Sequence, residues 1–146
     1  IAEKFHLIKD HDMIPLLCVG ETQEERLQGR TKDVLAKQLG ALLDEDRHCF
    51  RNAVIAYEPV WAIGTGKTAT PELAEETQLL CRNYIRKKWS SSFADKMYIL
   101  YGGSVKPENS REILQQPNID GLLVGGASLV VDSFSQIINN YQGQKK

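Results

Sequence analysis

The sequence has few cysteines, no long apolar run and almost no net charge, and each shortage argues against a class of protein. The three cysteines, Cys18, Cys49 and Cys81, are odd in number and show no C-x-x-C spacing. Two of them lie inside apolar runs, as small buried thiols do. The pattern therefore gives no sign of a disulfide framework or a cysteine metal site, and it favours a reducing compartment.

Charges of the two signs are nearly balanced, with 18 Lys and Arg against 19 Asp and Glu. A formal net charge of -1 provides no broad positive surface, so we expect no nucleic-acid partner. The one basic cluster, RKKW at 86–89, falls in the last turn of a predicted helix. Cations there complement the negative end of the helix dipole, which accounts for the cluster without a ligand.

Apolar runs such as MIPLLCVG and GLLVGGASLVV are too short to cross a bilayer. No signal-peptide pattern opens the chain, so we expect no membrane partner and a cytoplasmic location. The sequence starts at Ile1 and not at methionine, and a helical pattern begins at once over IAEKFHLIKDHD. We therefore expect the sequence to be cut from a longer one.

What is present is a regular succession of short apolar runs and amphipathic segments. The apolar runs lie at residues 15–20, 53–58, 97–103 and 121–126. Because they are continuously apolar and do not alternate, they predict strands covered on both faces, as in a parallel sheet. Helical patterns separate them, one over 31–43 and another starting with Thr70 as N-cap and Pro71 at the first position. No linker divides the chain, so residues 1–146 are predicted to form a single α/β domain of right-handed βαβ units.

Each predicted strand ends in small or polar residues, in the order GE, YEP, YGGS and GGAS. These are the carboxyl ends of parallel strands, where α/β folds place their sites. The glycines allow backbone N–H groups to approach a ligand closely. The carboxyl edge of the sheet is therefore the predicted location of the site.

The stretch AYEPVWAIGTGKTATPE, residues 56–72, contains the most informative loop. A P-loop would need G-x-x-x-x-G-K-[ST], but the first glycine of that pattern would fall on Trp61. The dinucleotide motif G-x-G-x-x-A fits Gly64, Gly66 and Ala69 only in letters, because five residues separate the strand end from the first glycine. Neither nucleotide-binding interpretation fits the loop.

The loop instead has the features of a lid over Glu58. It carries the apolar residues Val60, Trp61 and Ile63 on a segment expected to face solvent, which is reasonable if the loop closes over a site. Glu58 would then be a general base strengthened by the loss of water, and Pro59 would hold its backbone extended. The alternative is a solvated or ion-paired carboxylate at a strand end.

Four segments together resemble the triosephosphate isomerase family. They are LCVGETQEER, AYEPVWAIGTGKTATPE, YGGSVKPEN and GLLVGGASL, in this order. The resemblance extends from Ile1 to about Tyr141. It implies a (β/α)8 TIM barrel of which this chain supplies strands five to eight with their helices, the N-terminal half being absent from the sequence. It also implies a structural pairing of Arg82 with Asp120.

The resemblance implies an enzyme that interconverts dihydroxyacetone phosphate and glyceraldehyde 3-phosphate, in glycolysis and gluconeogenesis. The catalytic base falls on Glu58, which moves a proton between neighbouring carbons through an enediol(ate). The lid falls on Pro59, Val60, Trp61, Ala62, Ile63, Gly64, Thr65, Gly66 and Lys67. The phosphate-binding residues fall on Gly64, Ser104, Gly125 and Gly126, and the double-glycine turns at two strand ends also favour anion binding. No cofactor and no metal is implied.

Part of the family's catalytic set has no counterpart in this chain. Its electrophilic histidine and its substrate-side asparagine and lysine come from the earlier strands. His6 and His11 precede the first predicted strand and His48 precedes the second, so each is predicted to lie on the surface. We expect the chain alone to be inactive. By resemblance, the full-length protein is expected to be a homodimer that acts on a small phosphorylated triose.

Two alternatives stay open on the sequence. The chain could belong to another barrel enzyme that acts on a phosphorylated sugar, because many such barrels share the phosphate-binding turns. The lid and its adjoining glutamate argue against this. The chain could also be a half-barrel that binds phosphate without catalysis, which the missing electrophile favours.

Overall fold

The computed structural model describes residues 1–43, 50–65 and 67–141, and within them the chain forms four β-strands and seven α-helices. The strands are β1 (Leu16–Val19), β2 (Val54–Tyr57), β3 (Tyr98–Tyr101) and β4 (Gly121–Leu122). The helices are α1 (Ala2–Asp10), α2 (Gln23–Leu27), α3 (Thr31–Leu43), α4 (Pro71–Lys88), α5 (Ser91–Lys96), α6 (Pro107–Leu114) and α7 (Val131–Asn139). None of the helices in these ranges combines the length and apolar character needed to cross a membrane.

The four strands form one parallel sheet in the order β1-β2-β3-β4. Leu17 of β1 lies beside Ile55 of β2, which lies beside Ile99 of β3, and Tyr101 pairs with Leu122 of β4. Each strand lies within its predicted apolar run and follows its neighbour through a crossover. The α/β class and the parallel order predicted from the sequence are confirmed.

The two faces of the sheet are covered unequally. On one face the side chains pack against the helices and are buried: Leu17, Val19, Ile55, Tyr57, Ile99 and Tyr101. On the other face Leu16 is 39% exposed and Tyr98 is 55% exposed. The prediction of strands covered on both faces is therefore wrong for the described residues. Right-handed crossovers between consecutive, neighbouring strands carry the connecting helices to the same side, and an apolar composition does not reveal this.

Local sequence sets where the long helices begin and end. Thr70 caps α4, its hydroxyl accepting a hydrogen bond from the N–H of Leu73 at 3.2 Å, and Pro71 occupies the first position. The basic cluster ends the same helix, as predicted, because residues 86–88 form its last turn. Helix α3 occupies the predicted range 31–43, and four of its leucines are buried: Leu35, Leu39, Leu42 and Leu43.

The short helices α2 and α5 were not predicted from the sequence. A capping box between Thr22 and Glu25 starts α2, with the carboxylate of Glu25 accepting from the N–H of Thr22 at 2.8 Å. Ser90 caps α5 by accepting from the N–H of Phe93 at 3.2 Å. Both helices lack the length that makes apolar periodicity visible, so their capping residues are the available signal.

The described cysteines and histidines differ in exposure. Cys81 in α4 is buried, as predicted, but Cys18 in β1 is exposed, because it lies on the uncovered face of the sheet. His11 is exposed beside the end of α1, whereas His6 is half-buried with its ring at the edge of Phe5. The remaining two, Cys49 and His48, lie outside the described residues.

Arg82 of α4 ties the helix layer to the starts of β3 and β4. Its guanidinium donates to Asp120 Oδ2 at 2.8 Å, to Asn118 Oδ1 at 2.9 Å and to the Met97 carbonyl at 3.0 Å. The same Oδ2 accepts from the N–H of Ile99 at 2.7 Å. The pairing of Arg82 with Asp120 is thus a buried structural contact that fixes α4 against the sheet.

Candidate active site

A cleft of about 590 Å³ opens at the carboxyl ends of β2, β3 and β4. The sequence predicted a site at this edge, because parallel strands bring their carboxyl ends together. Glu58 lines the cleft, and so do Gly64, Ser104, Gly125 and Gly126. The residues predicted to carry catalysis and phosphate binding therefore surround one space, whose volume is in the range of small-ligand sites.

Glu58 follows β2 directly, and two glycines fix its position. Its backbone N–H donates to the Val19 carbonyl at 2.7 Å. A Cβ atom on Gly20 would lie 1.8 Å from the Glu58 carbonyl oxygen, and a Cβ atom on Gly102 would lie 2.6 Å from Glu58 Cγ. A Cβ atom at either position would collide with Glu58, so these two strand-end glycines make room for the glutamate.

Cys18 supplies a polar neighbour for the Glu58 carboxylate. The pKa of the Cys18 thiol is raised to about 12, first by desolvation, then by a hydrogen bond to Glu58 and by the negative charge of that carboxylate. The thiol therefore stays protonated near neutral pH and donates to Glu58. Sequence reasoning missed this contact, although parallel register pairs Cys18 with Ala56, two residues before Glu58.

Glu21, just after β1, is a fully buried carboxylate with three donors. Its Oε1 accepts from Arg26 Nη1 at 2.8 Å, from the Tyr57 hydroxyl at 3.1 Å and from the Trp61 indole N–H at 3.1 Å. Burial, followed by the charge of Glu21, raises the pKa of Tyr57, so its hydroxyl stays a donor. Because Trp61 belongs to the predicted lid, Glu21 anchors the start of that loop to the sheet. No role could be assigned to Glu21 from the sequence.

The first part of the predicted lid is a compact turn. Pro59 is buried, and a 3-10 turn follows over Val60–Ala62. Ala62 is fully buried, whereas Val60 is 51% exposed. The Arg26 guanidinium lies 5.5 Å from the centroid of the Trp61 ring, on which it makes a cation–π contact. The start of the loop is therefore held by both backbone and side-chain contacts.

The second part of the predicted lid reaches the cleft. Ile63 and Gly64 line it, and Gly64 has a φ of +67°, a conformation that glycine adopts at little cost. The Thr65 hydroxyl donates to the carbonyl of Trp61 at 2.8 Å, and Lys67 lies at the end of the loop. Gly66 lies outside the described residues. The other predicted lid residues do not line the cleft in this conformation: Pro59, Val60, Trp61, Ala62, Thr65 and Lys67.

The predicted phosphate-binding residues border open space. A Cβ atom built on Gly64, Gly125 or Gly126 would meet no atom within 4 Å. Gly126 begins a 3-10 turn. Ser104 also lies in a turn, and its carbonyl accepts a hydrogen bond from Asn109 Nδ2 at 3.0 Å. Glycine-containing turns that border one space are suited to an anion, which backbone N–H groups can bind.

Histidines do not contribute to this cleft within the described residues. His6 and His11 belong to α1 and its end, which precede the first strand. Lys106, in contrast, lines the cleft two residues after Ser104, and sequence reasoning gave it no role. No group of three His, Cys, Asp or Glu side chains in the described ranges is placed to hold a metal ion.

Comparisons with known proteins agree with this geometry. A family model described as triosephosphate isomerase matches residues 1–141. A triosephosphate isomerase of Fusobacterium nucleatum is 51% identical over 139 residues, which are 94% of this chain and 55% of that protein. Those of Legionella pneumophila (strain Paris) and Erwinia tasmaniensis are 49% and 47% identical, covering 94% and 100% of this chain and 55% and 57% of their own lengths. The chain spans about half the length of the curated relatives it matches.

Proposed function

Because the chain belongs to the triosephosphate isomerase family, we propose that the whole protein interconverts dihydroxyacetone phosphate and glyceraldehyde 3-phosphate. The observation that carries this proposal is one cleft shared by the Glu58 carboxylate and the backbone of Gly64, Ser104, Gly125 and Gly126. Isomerisation of a phosphorylated triose needs both groups, since the phosphate must be held while a proton moves between adjacent carbons.

Glu58 is the proposed general base. Its carboxylate takes a proton from the carbon beside the substrate carbonyl, and the electron pair of the broken C–H bond forms the double bond of an enediolate. The protonated Glu58 then gives the proton to the former carbonyl carbon, whose oxygen becomes a hydroxyl. The new carbonyl forms on the carbon that first lost its proton, as the hydroxyl there passes its own proton to the other oxygen. Contacts with Cys18 and the close approach to Gly102 fix where the carboxylate lies, which matters because a misplacement of about 1 Å can cost about 100-fold in rate.

The substrate phosphate is proposed to lie against backbone N–H groups of the four residues that border the open space. Donors held in turns bind an anion without rearranging as the reaction proceeds. Gly64 belongs to the lid, so phosphate binding there would favour its closed position. Closure would bring Ile63 over the cleft and remove water, which strengthens Glu58 as a base.

We further propose that residues 1–146 form one domain that supplies strands five to eight of a (β/α)8 barrel. A four-stranded parallel sheet with its helices on one face is the arrangement that half of such a barrel requires. The group that polarises the substrate carbonyl would come from the rest of the barrel, so the chain alone is proposed to be inactive. The full-length protein is proposed to be a cytoplasmic homodimer that acts in glycolysis and gluconeogenesis.

The test uses the full-length protein in a coupled assay with glyceraldehyde 3-phosphate. Glu58→Gln removes the base and leaves the backbone donors in place. We expect kcat to fall by about 1,000-fold, while inhibition by inorganic phosphate changes by less than about twofold. Glu108→Gln removes an exposed carboxylate from α6, outside the cleft, and should leave kcat unchanged.

Two outcomes would contradict the proposal in different ways. Near-normal turnover by Glu58→Gln would exclude Glu58 as the base. A full-length protein that binds inorganic phosphate but does not isomerise the triose would favour a phosphate-binding protein, or a barrel enzyme with another phosphorylated sugar as substrate.

A further inference from the structure

Lys106 lines the cleft and carries a basic side chain. Of the described residues that line it, Glu58 carries the one acidic side chain and Lys106 the one basic side chain. Lys106 is exposed. The ion pairs found between described residues do not include it: Arg26–Glu21, Arg82–Asp120 and Arg86–Asp95. The Lys106 ammonium group therefore takes no part in these three ion pairs.

The backbone of Lys106 is fixed by the start of α6. Its N–H donates to Asn109 Oδ1 at 2.8 Å, and its carbonyl accepts from the N–H of Ser110 at 3.0 Å. Asn109 Nδ2 also donates to the carbonyl of Ser104 at 3.0 Å. One asparagine thus couples the position of Lys106 to that of a proposed phosphate-binding residue, and the lysine side chain starts from a defined point at the cleft.

A phosphate ester is negatively charged near neutral pH, and the two kinds of donor here act on it over different distances. Glycine N–H groups act within hydrogen-bond distance, whereas an ammonium group acts over roughly 8 Å at physiological ionic strength. Glu58 repels an incoming anion, and Lys106 offsets this repulsion. The charges of these two side chains, -1 and +1, sum to zero.

We propose that Lys106 is a recognition residue for the phosphorylated substrate, which it draws into the cleft and distinguishes from unphosphorylated trioses. This inference rests on the proposed isomerase function and adds a specificity residue to it. Lysine suits the task, because it binds phosphate as a flexible point charge and needs no fixed geometry. Loss of the Lys106 charge should lower kcat/KM, because the lysine acts on capture of the substrate and need not contact the reacting carbons.

The experiment compares Lys106→Gln with the unaltered full-length protein at two ionic strengths. We expect kcat/KM for glyceraldehyde 3-phosphate to fall about fivefold at ~20 mM salt and by less than about twofold at ~500 mM salt. With glyceraldehyde, which lacks the phosphate, kcat/KM should not change. Lys106→Arg should retain the activity of the unaltered protein. Lys96→Gln removes the same charge from the end of α5, outside the cleft, and should have no effect.

The inference is overturned if Lys106→Gln keeps its kcat/KM at low salt, or if the loss is equal for glyceraldehyde, which would indicate a structural role. If the unaltered protein does not isomerise glyceraldehyde 3-phosphate, the proposed function fails, and calorimetric titration with inorganic phosphate tests Lys106 separately. Weaker binding by Lys106→Gln at low salt, by about fivefold, would still support recognition of phosphate. Equal binding would overturn it.

Discussion

The two sides of the cleft are built in opposite ways. On the β2 side Glu58 is enclosed, because Gly20 and Gly102 leave no space for even a Cβ atom beside it. On the β4 side Gly125 and Gly126 border open space, and a Cβ atom on either would meet no neighbour within 4 Å. Both sides need glycine, but on one side it admits a protein side chain and on the other it leaves room for a ligand.

The difference follows from the chemistry proposed for each side. A base works only when its carboxylate is placed within a fraction of an ångström, so close contacts on all sides are useful. An anion site made of backbone donors needs free N–H groups and space in front of them. A glycine-rich motif at a strand end therefore does not by itself indicate whether a ligand or a neighbouring residue fills the space.

The largest predicted effect is a loss of kcat when the β2 side of the cleft, next to Glu58, is disturbed. Gly102→Ala would place a Cβ atom 2.6 Å from Glu58 Cγ, so the carboxylate must rotate away. In the full-length protein we expect kcat to fall about 100-fold with little change in Tm, because the side chain moves and the sheet does not. Gly121→Ala is the matched control, since its Cβ atom would meet only the end of the Leu100 side chain, at 3.0 Å. A normal kcat for Gly102→Ala would show that Glu58 is not held as described.

A smaller effect, on binding, is expected where the open side is filled. Gly126→Val meets no neighbouring atom at its Cβ position, so the fold should accept it and Tm should stay within about 2 °C. Its side chain would occupy space in front of the backbone donors. We expect the affinity for inorganic phosphate to fall about tenfold, equivalent to losing about 1.4 kcal/mol of anion binding. Unchanged phosphate inhibition would remove Gly126 from the anion site.

The smallest effect concerns the thiol beside the base. The pKa of Cys18 is raised to about 12, partly by Glu58, so its thiol should react slowly with iodoacetamide up to pH 10. Glu58→Gln removes the negative charge, lowers this pKa and should speed the alkylation of Cys18. Cys81, whose pKa is raised to about 12 chiefly by burial, should not respond. Peptide mass spectrometry measures both rates, and equal rates for Cys18 in the two proteins would contradict the contact.

The raised pKa of Cys18 also determines how this thiol makes the free energy of unfolding depend on pH. Because the pKa of Cys18 in the folded protein lies above its ordinary value of 9, the unfolded chain loses the thiol proton first. The contribution of Cys18 to stability is therefore fully present below pH 9 and is lost as the pH rises towards 12.

Features set by nearby residues could be predicted from the sequence. The strands follow from their apolar runs, and the start of α4 follows from Thr70 and Pro71. The position of Glu58 at the cleft follows from parallel order, since a residue directly after a strand must lie at the carboxyl edge. The proposed phosphate-binding residues are at this edge for the same reason.

Features set by contacts between distant segments could not be predicted. In the sequence, Glu21 is simply a charged residue after a strand. Its burial depends on Tyr57 and Trp61, which lie 36 and 40 positions away along the chain. The uncovered face of the sheet depends on the side to which the crossovers turn. Gly102 resembles any glycine in a strand-end turn until the Glu58 side chain is placed beside it.

The side-chain hydrogen bonds of Arg82 determine which parts of the folded chain can unfold separately. They reach Asn118 and Asp120, which lie 36 and 38 positions along the chain, as well as the Met97 carbonyl. Helix α4 cannot leave the sheet without breaking bonds at the starts of both β3 and β4. The two strands should therefore unfold as one cooperative unit, and the amide hydrogen of Ile99, bonded to Asp120, should exchange with solvent only when that whole unit opens.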